Sequence, residues 1–244
     1  MKYIGFSTGA LALGDFRAAL AMLKNKHTEA VELSALRDHE VEPLMAALPD
    51  LDLVGFTYVS VHVPSKFKQL TERQVSDLLR PCIERRIPVV LHPDVIEDVE
   101  CWKPFGALLC IENMDRRKST GRLVGELEPF FSKLPQATFC LDIAHANQID
   151  TTMGEARSMI GLFGQRLRQI HISEIDEQGR HHRVSLVTIL ATNRIAKLIN
   201  RDIPVIIESQ IPETGIEREI EAVKRALQPS PASETVTADW GILA

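Results

Sequence analysis

The sequence predicts an α/β protein of the (β/α)8 barrel class, built as a single domain. Three observations lead there. Short apolar runs alternate with longer stretches of helical periodicity along the whole chain. There are eight such runs, and a chain of 244 residues holds either two small domains or one barrel. Seven of the runs carry a histidine, an aspartate or a glutamate as their last or next-to-last residue, where a buried strand reaches its carboxyl end.

The runs are 3–6 (YIGF), 30–33 (AVEL), 58–63 (YVSVHV), 87–92 (IPVVLH), 107–112 (ALLCIE), 138–142 (TFCLD), 167–172 (LRQIHI) and 203–208 (IPVIIE). Between them, 15–26 carries Leu20, Met22 and Leu23 on one face, with lysines in its last turn. Segment 71–86 places Val75, Leu78, Leu79 and Ile83 at helical spacing, and Pro81 predicts a kink or a split there. Segment 215–227 aligns Ile216, Ile220, Val223 and Leu227. The fourth connection is short, so its helix, around Val95 to Trp102, must be brief. Trp102 either lines a pocket or packs on a helix. An open doubly wound sheet is the competing topology. It usually carries a Gly-rich first turn, and STGALALG (7–14) does not fit GxGxxG. The barrel spans 1–227. The Pro-, Ser- and Thr-rich 228–244 reads as an extended C-terminal tail.

Composition excludes several classes. The chain is 45% apolar and a quarter charged, which is ordinary for a soluble globular protein. A net charge of −5 does not mark a nucleic-acid binder as a whole. No apolar run approaches the roughly 20 residues of a membrane span. The opening residues make a poor signal peptide. Cys82, Cys101, Cys110 and Cys140 show no CxxC spacing and read as reduced thiols of a cytoplasmic protein.

In a barrel the strand exits share one face, where active sites sit. The exits here are Glu32, His62, His92, Glu112, Asp142 with His145, His171 and Glu208. Histidine is 8 of 244 residues, yet three strands end in it and a fourth carries it three residues on, which scatter rarely produces. Residues two back face the same side: Ala30, Ser60, Val90, Cys110, Cys140, Gln169 and Ile206. They form the next layer of a filled lumen. Gln169 needs a buried partner there, and Ser60 is the expected one. Imidazoles and carboxylates converging in one mouth are ligands for Zn²⁺ or Mn²⁺. Glu32 is the weakest member, a group that touches substrate or supports a ligand.

In order, VHVP, LHPD, IENMD, LDIAHA, HIS and IIES resemble the xylose isomerase-like TIM barrels. These include sugar isomerases, epimerases and endonuclease IV-type repair enzymes. The resemblance implies up to three metal ions. His62 and His92 resemble ligands of a first ion, sharing Glu112 with a second. Asp142, His171 and Glu208 resemble the second ion's remaining ligands. His145 and His181 resemble ligands of a third. That third set lacks its aspartate: Gly179 stands there, or Arg180 if His182 is the ligand, and Asp176 is a nearby substitute.

Two functions follow from the resemblance. One is a metal-dependent sugar or sugar-phosphate isomerase or epimerase. Glu112 and Glu208 would move the proton while the cation polarises a substrate oxygen. The other is a metal-dependent phosphodiesterase acting at abasic DNA, for which His62, His92 and His181 speak. Arg116, Arg117, Lys118 and Arg122, in the loop after the fifth strand, can hold phosphate in either case. A barrel that keeps metal for structure or binding alone is a third alternative.

Overall fold

The computed structural model describes residues 3–228, so the expected tail lies outside the described residues apart from Gln228. Among the described residues there are ten strands: β1 (Ile4–Ser7), β2 (Ala30–Ser34), β3 (Tyr58–His62), β4 (Val89–Leu91), β5 (Leu109–Glu112), β6 (Thr138–Asp142), β7 (Leu167–Ile172), β8 (Glu174–Ile175), β9 (His181–His182) and β10 (Val205–Ile207). The first seven, β1 to β7, join β10 in a closed barrel whose neighbouring strands all run parallel. Closure between β10 and β1 rules out the doubly wound sheet. Both faces of the barrel strands are covered, which is why their sequences run apolar instead of alternating. At Gly5 the strands meet too closely for any side chain: a Cβ there would lie 1.6 Å from the Ala30 carbonyl oxygen.

The helices follow their local signals. Helix Phe16–Leu23 starts at Asp15, whose carboxylate accepts the Ala18 N–H at 2.9 Å. Thr71 and Gln74 form a capping box on helix Glu72–Leu78. The expected split occurs at Leu79. Pro81 falls in the first turn of the next piece, Arg80–Glu84, where its missing N–H costs little. Helix Ile216–Ala226 buries Ile216, Ile220 and Val223. The fourth connection differs from the brief helix expected. It is a series of 3-10 turns, Pro93–Val95, Val99–Cys101 and Lys103–Leu108, because its prolines and Gly106 break α-helical continuity. Trp102 is fully buried against Phe105, and its indole N–H donates to Glu72, so it does not line the mouth.

The lumen is layered as the strand period requires. Val90, Cys110 and Cys140 form their own apolar cluster inside the barrel. Gln169 is buried, but its partners are Tyr58 and Glu32, at 2.6 and 2.7 Å, not Ser60. Ser60 meets the same Glu32 oxygen at 3.0 Å. The polar layer is thus organised by a carboxylate, which accepts from both.

Two loops at the carboxyl end are tied together by Asp38, which is 2% exposed. Its Oδ2 accepts the backbone N–H groups of Lys68, Gln69 and Leu70. Burial opposes the charge, yet these donors hold the carboxyl down at about 2, against 3.8 ordinarily. Asp38→Ala is expected to cost about 1–3 kcal/mol in urea unfolding at neutral pH. The sign follows from the depressed value: the contribution is present above pH 3.8 and fades as pH falls through about 2, so the variant and the parent converge in acid. An unchanged midpoint at neutral pH would count against this staple.

Candidate metal centre

Glu112 ends β5 with a side chain that is 1% exposed. Each of its oxygens faces two imidazoles. Oε2 lies 3.1 Å from His62 Nε2 and 3.4 Å from His92 Nε2. Oε1 lies 3.3 Å from His145 Nδ1 and 3.4 Å from His171 Nδ1. Barrel register makes this possible. Asp142 stands directly opposite His171 on the neighbouring strand, and Glu208 continues the β10 ladder by donating its N–H to the Ile172 carbonyl at 3.0 Å.

The fold holds Nδ1 of His62 and of His145 through backbone carbonyls. His62 Nδ1 donates to the Val63 carbonyl at 2.8 Å, which leaves Nε2 for the centre. His92 turns Nδ1 toward Asp94 Oδ1, 3.9 Å away. His145 lies in the first turn of the helix Ile143–Ile149, whose N-cap is Asp142, and its Nδ1 donates to the Asn113 carbonyl at 2.9 Å. Asn113 also bridges β5 to Asp142 through two hydrogen bonds with its backbone.

Two groups of donor atoms are close enough to grip one ion each: His62, His92 and Glu112, and Glu112, Asp142, His171 and Glu208. Glu32 joins His62, His171 and Glu208 in a further group, and Cys140 joins Glu112 and His171 in another. A cation fits the second group on direct grounds. Asp142 Oδ2 and His171 Nδ1 are buried there without a hydrogen-bond partner, a costly state that coordination relieves. Mixed imidazole and carboxylate donors suit Zn²⁺ or Mn²⁺.

Protonation points the same way. Burial pushes Glu112 up, but the imidazoles of His171 and His92 prevail and hold it well below the carboxylate range. Burial raises Asp142 to about 6, aided by Glu112 and Glu208 and opposed by His145. Burial and the Glu112 charge also raise Glu208. Burial opposes charge on His62 and His145, yet Glu112 with Glu32 lifts the first to about 9, and Asp142 with Glu112 lifts the second to about 10. Imidazolium protons thus neutralise a surplus of carboxylates, the task a divalent cation performs.

The remaining expected residues fall into place unevenly. His181 and His182 form β9, which pairs antiparallel with β8 in a hairpin too short for sequence periodicity to reveal. His181 turns inward, with Nδ1 2.8 Å from Ser173 Oγ and 3.5 Å from Glu208 Oε2, and burial lowers it to about 4. His182 turns outward to Asp176 at 2.9 Å, so neither it nor Asp176 reaches the centre. His145 and His181 join no third donor group among the described residues. Gly179 has φ +76°, and a Cβ there would lie 1.8 Å from the guanidinium of Arg117. That guanidinium therefore takes the space a side chain at 179 would need. Arg117 grips Asp115 at 2.9 and 2.8 Å, and Asp115 Oδ2 lies 3.9 Å from His145 Nε2. Lys118 pairs with Asp94 at 2.7 Å. Arg117 and Lys118 both line the mouth cavity, of about 230 Å³, together with Glu112, His145, His181 and Glu208. Arg116 pairs with Glu177 and does not line that cavity, and Arg122 pairs with Glu126. Asp94 and Asp115 were not singled out from sequence, although each lies in a quoted motif, LHPD and IENMD.

No known family's sequence profile matches this chain, and no curated protein resembles it in sequence. Solved structures do resemble it. Endonuclease IV from Thermus thermophilus superposes with a TM-score of 0.64 at 16% identity, covering 92% of this chain and 98% of that one. A candidate xylose isomerase from Rhodospirillum rubrum gives 0.59 at 13%, covering 95% and 100%. SacUVDE gives 0.56 at 12%, covering 92% and 98%. The chain shares the closed (β/α)8 barrel fold of these structures.

Zinc uptake at pH 7 is expected to release protons, because His62, lifted to about 9, is protonated there and ligation requires the neutral ring. The release fades as pH rises through about 9. Calorimetry in buffers of different ionisation enthalpy measures it, and zinc binding at pH 7 without proton release would contradict this arrangement.

Proposed function

We propose that this protein is a metal-dependent hydrolase of a small phosphoester, with two ions that would be held by the donors grouped around Glu112. The observation that carries this reading is the division of the Glu112 oxygens, Oε2 toward His62 and His92, Oε1 toward His171 and the Asp142 side. A carboxylate placed in this way suits two ions. Bound there, two divalent ions would supply a nucleophile from water at neutral pH and offset charge on a displaced phosphoryl group. His62 and His92 would hold one ion; Asp142, His171 and Glu208 would hold the other.

Residues around the centre would orient the ester. Arg117 spends three of a guanidinium's five N–H donors on Asp115 and the Gln178 carbonyl, so two remain for phosphoryl oxygens. The loop cations Arg116, Arg117, Lys118 and Arg122 are each paired with a carboxylate. Little charge is left there for the extended phosphate track of a DNA duplex, which favours a compact substrate such as a sugar phosphate.

The isomerase reading keeps one supporting observation, the complete group of Glu112, Asp142, His171 and Glu208. Its proton transfer by paired glutamates is weakened by Glu112. That carboxylate is buried between four imidazoles and held well below the usual range, so it is a poor base.

The discriminating experiment removes the first set alone. In zinc-loaded protein, His62→Ala and His92→Ala are each expected to lose about one metal equivalent and on the order of 100-fold of the hydrolysis of bis(p-nitrophenyl) phosphate or p-nitrophenyl phosphate. Variants that keep both metal content and turnover would overturn the two-ion reading, and a parent chain that takes up one equivalent and hydrolyses neither ester would favour the single-ion isomerase.

A further inference from the structure

Glu32 was expected among the strand exits, but β2 runs two residues beyond it, to Ser34. Glu32 therefore lies one layer below the mouth, with no exposed side-chain surface. Its Oε2 accepts from Ser60 Oγ at 3.0 Å and from Gln169 Nε2 at 2.7 Å, and lies 3.2 Å from His171 Nε2. His171 thus stands between two carboxylate layers. Nε2 faces Glu32, while Nδ1, without a hydrogen-bond partner, lies 3.4 Å from Glu112 Oε1 and 3.6 Å from Glu208 Oε1.

A second group competes for Nε2. Gln169 Nε2 lies 2.7 Å from it. The amide's orientation is set by Tyr58, whose hydroxyl donates to Gln169 Oε1 at 2.6 Å. Turning the amide over would place its oxygen against the Glu32 carboxylate. The amide nitrogen therefore offers hydrogen to the ring, and the carboxylate asks for one. These demands select opposite tautomers. A bare Nε2 accepting from Gln169 puts the ring proton on Nδ1, at the face that would hold the ion. An Nε2–H donating to Glu32 leaves Nδ1 bare.

We propose that Glu32 is a positioning residue that locks His171 into the Nδ1-bare tautomer against the competing amide of Gln169. The proposal rests on the metal-centre reading above. It assigns to Glu32 the work of a carboxylate behind a ligating imidazole, which orients the ring and raises its basicity.

The test is zinc titration against a competing chelator on the full chain, with long-range ¹H–¹⁵N spectra reporting the His171 ring. Glu32→Ala is expected to weaken one zinc equivalent about 10–100-fold while the equivalent held by His62 and His92 stays near its parent affinity. Glu32→Gln, whose amide oxygen still accepts from Nε2, keeps most of the affinity. Adding Gln169→Ala to Glu32→Ala recovers part of the loss, because the competing donor is gone. Spectra of the zinc-loaded parent should show the proton on Nε2. Complete loss of one equivalent in Glu32→Ala would make Glu32 a ligand and overturn the proposal. So would unchanged affinity, an equal fall at both equivalents, or a proton on Nδ1 in the loaded parent. A parent chain that binds no zinc would sink the metal centre itself, a result distinct from the others.

Discussion

The carboxylate of Glu112 sits at the bottom of the barrel mouth with almost no access to water, and the rest of the site is arranged around that burial. An isolated ionised carboxylate in such a place costs several kcal/mol even after relaxation. Four imidazoles from four different exits approach its two oxygens, within 3.1 to 3.4 Å. The acids around His62, His145 and His171 hold protons on those three rings, while burial lowers the proton affinity of His92. Protons on these rings offset the carboxylates of the centre, a balance that a divalent ion would also supply.

Support for that balance reaches two shells of chain away. His62 is fastened by a backbone carbonyl, His145 by the Asn113 carbonyl, and His92 and His171 face carboxylates. The carboxylates are fastened in turn: Asp94 by Lys118, Asp115 by Arg117, Glu32 by Ser60 and Gln169. A ring whose other nitrogen is already held, as His62 Nδ1 is by the Val63 carbonyl, loses little further freedom when it takes an ion. The same fastening spends most of the loop's positive charge internally. The mouth consequently presents a few directed donors from Arg117 and Lys118 in place of a diffuse basic field, an arrangement that suits one compact anionic group better than a polyanion.

Gly179 shows how a departure from the resembled pattern acquires a physical meaning. With a carboxylate missing there, the β8–β9 hairpin passes close over the guanidinium of Arg117, and the positive φ of the glycine keeps the turn unstrained. The place has been given to a fixed organic cation. His145 and His181 still line the cavity, where His145 meets the Asn113 carbonyl and His181 meets Ser173.

The eight barrel strands and most of their exits were legible in the sequence because both signals are local. Apolar runs of strand length, the period of two along them, and an abrupt His, Asp or Glu at most of their ends are properties of a few neighbouring residues. Val90, Cys110 and Cys140 share a lumen layer for that reason, and Pro81 divides its helix for the same kind of reason. Tertiary structure alone decided what depends on the stagger between strands and the path of loops. Register set Glu32 one layer too deep for the mouth and gave Gln169 to Tyr58 and Glu32 instead of Ser60. A two-residue hairpin, invisible to any periodicity, chose His181 over His182. The assignment of each Glu112 oxygen to its own pair of rings follows from barrel closure, since it joins side chains up to 59 positions apart, a distance over which no local pattern carries information.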